Sequence, residues 1–77
     1  MRSDLTIDLD REGDGRWIAE ALELSGVMCY SQTRDEAISN VERLAIDVIA
    51  DRIAHRELPS SSLGLAFTIP DDLLARR

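Results

Sequence analysis

Lysine is absent from this 77-residue chain: all nine basic side chains are arginine, set against fifteen carboxylates for a formal net charge of −6. An acidic chain of this size is repelled by nucleic acid and by anionic membranes, and is drawn towards basic protein partners. The plainer reading is that the acidity keeps a small domain soluble. Cys29 is the only cysteine, which excludes an internal disulfide. Within an apolar run it reads as a small buried side chain suited to a reducing compartment, and no cationic neighbour in sequence supports a reactive thiol. No apolar run approaches the ~20 residues of a membrane span, and the N-terminus lacks a signal-peptide pattern, so the cytoplasm is the expected location. His55 is the only histidine. One histidine and one distant cysteine cannot build a metal site, and the Gly13–Gly15 pair has no following helix to make a phosphate loop. No metal and no cofactor are expected.

The longest periodic stretch runs from Thr33 to about Leu58. Thr33 followed by Glu36 forms a capping box, and Asp35 and Glu36 place negative charge at the positive end of the helix dipole. Ala37, Ile38, Val41, Leu44, Ala45, Val48 and Ile49 share one broad face at helical spacing. Pro59 disfavours helix at Leu58 and marks the end. His55 follows Asp51 by four residues and sits where the dipole favours a cation, a structural role.

Before the helix, residues 4–10 alternate, with Leu5, Ile7 and Leu9 on one face and Asp4, Thr6, Asp8 and Asp10 on the other. R-E-G-D-G-R supplies hairpin turn chemistry, and residues 16–22 form the return strand with Trp17 inward. Residues 23–26 make a second turn, in which Gly26 takes a positive φ, and residues 27–30 a short apolar strand. After the helix, P-S-S-S is a flexible connection. Leu65, Phe67 and Ile69 alternate in a last strand that Pro70 ends, and residues 71–77 form a tail with room for one helical turn. The order is β-β-β-α-β. A right-handed crossover sets the last strand parallel to the first, giving an α+β two-layer sandwich with one helix on one sheet face. Residues 1–70 form a single domain, without repeats, whose core comprises Trp17, Val41, Leu44, Val48 and Phe67. A domain this small buries only about 60% of its extended-chain surface, so self-association is expected.

The stretch G-D-G-R-W-I-A-E-A-L-E-L-S-G resembles the "G-x-W-x-A-x-x-P-E-L-P-G" signature of the HicB-like antitoxins. The continuation V-M-C-Y-S-Q-T-R-D-E-A-I-S-N-V is similar to that family's strand, short turn and "T-x-E-E-A" helix start. The resemblance covers about residues 4–69. It implies a partial ribonuclease-H-like β-β-β-α-β fold and a non-catalytic protein. It further implies a partner, a small basic HicA-like toxin that cleaves mRNA with a histidine, whose active site the antitoxin masks. Many members carry a C-terminal DNA-binding module. This chain stops about eight residues after its last strand, so no direct DNA binding is expected of it alone. Ser25 stands where the family usually has proline, and Ser31 where glycine is common.

Charge and geometry nominate Asp8, Asp10, Glu20 and Glu23 as toxin-contact residues. Asp8, Asp10 and Glu20 also invite a two-metal nuclease reading, but nothing in the spacing fixes a third ligand, and a solvated polar face accounts for them. No catalytic residue is assigned. A second apolar strip on the helix, Ile46, Ile49, Ala50 and Ile53, nominates Ile46, Ile49 and Ile53 as homo-oligomer contacts. A stand-alone oligomeric or regulatory module without a toxin is the other open reading.

Overall fold

The computed structural model describes residues 3–59 and 64–69. The elements run β1 (Ser3–Arg11), β2 (Trp17–Ala21), β3 (Met28–Ser31), α1 (Arg34–Ala54) and β4 (Leu65–Thr68). The sheet order is β3-β2-β1-β4, antiparallel except that β4 lies parallel to β1. The helix packs on one face, mainly over β2 and β3. The α+β architecture and the crossover follow the alternation in the sequence. The linker expected at P-S-S-S lies, beyond Pro59, outside the described residues, as does the tail over 71–77.

Local chemistry sets each element. The β1–β2 hairpin closes with the Glu12 N–H donating to the Arg16 carbonyl at 2.8 Å. Gly15 takes a positive φ of 91° there, a conformation that disfavours a side chain. In the second turn Gly26 has φ 79°, as expected. At the helix start the Thr33 hydroxyl accepts from the Glu36 N–H at 3.1 Å.

The helix ends at Ala54, four residues earlier than the proline suggested. Arg56 adopts φ 61°. Its N–H donates to the Ile53 carbonyl at 3.0 Å, while the Glu57 N–H donates to the Arg52 carbonyl at 2.8 Å. These two bonds form a Schellman cap, which satisfies the last helical carbonyls before Pro59 is reached. His55 occupies the C-cap itself, its Nδ1 2.8 Å from the Asp51 carbonyl.

Leu5, Ile7 and Leu9 of β1, Ala19 and Ala21 of β2, and Ala37, Val41, Ala45 and Ile49 of α1 form the core with Leu24 and Val27. The facing alanines let helix and sheet approach closely. Of the five expected core residues, only Val41 is fully buried; Trp17, Leu44, Val48 and Phe67 are half-buried and pack against the core's rim. One helix lying over β2 and β3 leaves the strand ends and β4 thinly covered, which explains Trp17 and Phe67. Cys29 is likewise half-buried rather than enclosed. Leu24, in the second turn, and Val27, just before β3, are also core residues.

Two substitutions test this arrangement. Ile7→Ala, at a fully buried site, should cost about 2–5 kcal/mol in denaturant unfolding, and Leu44→Ala clearly less. Arg56→Gly should raise stability by about 1 kcal/mol by relieving the left-handed backbone. Equal losses at Ile7 and Leu44, or no gain at Arg56, would contradict this packing and this cap.

Candidate functional site

The face of the sheet opposite α1 carries the groups nominated from sequence. Pairing sets Asp8 opposite Glu20, and Glu20 opposite Met28. The neighbouring row holds Asp10, Ile18 and Tyr30. Each row therefore runs from a carboxylate on central β1 to an exposed apolar side chain on edge strand β3. Met28 is 40% and Tyr30 48% exposed, and Leu22, just past the end of β2, is also exposed. The Arg16 guanidinium lies 4.7 Å from the Tyr30 ring centroid and pairs with Asp14 at 2.8 Å.

Among the described residues, no cationic side chain lies within ion-pair distance of Asp8, Asp10 or Glu20. Asp10 does accept from the Arg11 N–H at 2.8 Å. Like charges directly opposite across strands are destabilising. Among the described residues no cation offsets this cost at the Asp8–Glu20 pair. The described residues contain no group of three His, Cys, Asp or Glu side chains able to hold a metal ion, and they enclose no pocket.

Glu23 has a different setting. Its carboxylate accepts the Thr6 N–H at 2.7 Å, while the Leu22 N–H donates to the Thr6 carbonyl at 3.0 Å. β2 has ended at Ala21, so the Glu23 carboxylate takes the place of the missing strand carbonyl and closes the β1 ladder. That hydrogen bond holds the Glu23 carboxyl below its usual range. Glu23 is therefore already engaged within the fold, a role its position beside the turn did not reveal in sequence.

The three helix residues nominated for self-association separate. Ile49 is 3% exposed and belongs to the core, so it cannot meet a partner; Ile53 is half-buried against that core, and only Ile46, at 43%, stands out. Within the second strip Ile49 belongs to the core and Ile53 to its rim, while Ile46 and Ala50 face outward. Met28 and Tyr30 are not nominated by the sequence, since their strand is only four residues long. Comparison of the chain with family models, curated proteins and solved structures found no match.

The ladder closure by Glu23 has a pH signature. A carboxyl whose folded pKa lies below its ordinary 4.5 adds stability in full above that value. The contribution is lost as pH falls through the folded value. Glu23→Ala should therefore be less stable than wild type at neutral pH, with the gap narrowing in acid. Glu23→Gln, which keeps an acceptor, should fall between them. A gap independent of pH in denaturant unfolding would remove the carboxylate from this role.

Proposed function

We propose that this chain is a cytoplasmic antitoxin-type binding protein of the HicB-like kind, non-catalytic, which neutralises a small basic HicA-like mRNA-cleaving toxin by covering its active surface. The observation that carries the reading is the Asp8–Glu20 pair, with Asp10 beside it, on the sheet face that α1 leaves bare. Like charges held together with no cation beside them among the described residues gain most from a cationic partner. Ile18, Met28 and Tyr30 share that face and supply apolar area next to the charge.

The resemblance supplies the nature of the partner, and the element order agrees with the partial ribonuclease-H-like arrangement that it implies. Its signature residues have clear work to do here. Gly15 and Gly26 turn the chain with positive φ, Ala19 and Leu24 are buried, and Glu23 closes the β1 ladder. These are roles in building the fold, so the signature supports the architecture and the acidic face supports the partner.

Exposed charge pairs contribute only about 0–1 kcal/mol each, whereas truncating one partner of a desolvated interface pair costs about 2–5 kcal/mol. Asp8→Asn, Asp10→Asn and Glu20→Gln together keep shape while removing charge. Glu23 is left intact because it supports the fold. Titrated against the product of the adjacent reading frame, the triple variant should bind at least about tenfold more weakly, a loss of about 1.4 kcal/mol. Wild-type association should also slow at high salt. Unchanged affinity and rate would exclude the acidic face as the contact surface. Failure to associate at all would leave a stand-alone module, and a magnesium- or manganese-dependent nuclease activity lost on Asp8→Asn would make the protein an enzyme.

A further inference from the structure

The outer edge of β3 is open: among the described residues its only strand neighbour is β2. Edge strands of monomers are usually blunted by charge, proline, a bulge or shortness. β3, Met-Cys-Tyr-Ser, is short but carries no charge, proline or bulge. The Ala21 N–H donates to the Val27 carbonyl at 3.0 Å, which fixes the phase of the ladder. Residues 27, 29 and 31 then bond towards β2, while the main-chain groups of Met28 and Tyr30 point outward.

We propose that this edge pairs with the same edge of a second copy, antiparallel about a two-fold axis at Cys29, to form one eight-stranded sheet. The register follows from the outward groups. Met28 meets Tyr30 of the second copy and Tyr30 meets its Met28, making four main-chain hydrogen bonds within the strand itself. Cys29 then faces Cys29 of the second copy on the helix side, as a non-hydrogen-bonded pair with Cα atoms about 4.5 Å apart.

Charge and area both permit a second copy. Glu20 lies one strand in, so the two Glu20 residues stand about 14 Å apart, and the two Asp8 residues about 24 Å, at 4.8 Å per strand. Both exceed the ~8 Å Debye length at physiological salt, so the acidic columns barely oppose pairing. Strand pairing alone would be a small interface, but α1 lies over β2 and β3. The axis therefore brings the two helices about 10 Å apart, the separation of packed helices. The Asn40 amide donates to the Ser31 hydroxyl at 3.0 Å, which puts the Asn40 flank of the helix on the β3 side. Leu44 is one turn along that flank. At about 3.3 Å per strand residue and 1.5 Å per helical residue, Leu44 sits level with Cys29, so its half-buried side chain meets its own copy.

The full chain alone tests this, independently of any toxin. Sedimentation should give twice the 8.6 kDa of one chain. Mild oxidation with copper-phenanthroline, which accepts the two electrons released as two thiols become a disulfide, should cross-link Cys29 to Cys29 in the dimer. Met28→Lys with Tyr30→Lys sets like charges face to face across the axis. It should yield a monomer with an unchanged circular dichroism spectrum, since both side chains are exposed, and should abolish the cross-link. A wild-type monomer at micromolar concentration overturns the proposal. So does a dimer that survives both lysines, or a wild-type dimer that forms no disulfide.

Discussion

The register of β1 is the constraint on which the rest of the molecule depends. It is an inner strand, paired antiparallel to β2 and parallel to β4, so its alternation fixes both faces of the sheet. Leu5, Ile7 and Leu9 are buried beneath the helix layer while Asp4, Asp8 and Asp10 stand on the other side. A slip by one residue would exchange the two sets, burying the carboxylates and exposing the leucines. The slip is blocked at both ends. The Glu12–Arg16 bond closes the hairpin, and Glu23 with Leu22 clamps Thr6 where β2 stops. Core and acidic face thus have a single origin.

A second constraint is coverage. A helix about 10 Å wide spans two strands at 4.8 Å spacing, whereas this sheet has four. α1 sits over β2 and β3, with small alanines on both sides of the contact, and the packing thins towards β4. Residues that look alike in sequence therefore part company: Val41 is sealed while Leu44, one turn beyond Val41's neighbour Asn40, lies on the rim. A hydrophobic stripe records which side of a helix is apolar. It does not record how much sheet lies underneath.

That distinction separates what the sequence made legible from what it did not. Period-2 alternation in β1 and the 3.6-residue period of α1 gave the element order, the crossover and the two faces, because each is a local pattern repeated several times. Thr33 and Gly26 were readable because capping and positive φ have strong residue preferences. The helix end is not legible in the sequence, because Arg56 adopts a left-handed conformation usually left to glycine. Ile49 was assigned to two strips since it borders both, and only packing decides that it belongs to the core. Of the candidate site, Asp8, Asp10 and Glu20 were readable as one face, whereas the engagement of Glu23 with Thr6 spans seventeen residues of chain. Met28 and Tyr30 lie on a strand of only four residues, too short for alternation to announce itself.

Charge and apolar area are segregated on the bare face, and that segregation lets two kinds of contact coexist. The carboxylates sit on β1 and the inner part of β2, while the exposed apolar side chains sit on β3. An edge paired about an axis normal to the sheet keeps both bare faces on the same side. The two acidic columns then lie about 14 Å apart at Glu20 and about 24 Å apart at Asp8, both beyond the ~8 Å Debye length at physiological salt. In the proposed pairing each column would stay open to the proposed cationic partner, so the two contacts would not compete for the same atoms. Met28 and Tyr30 lie where the two surfaces meet, their main-chain groups turned to the edge and their side chains to the bare face.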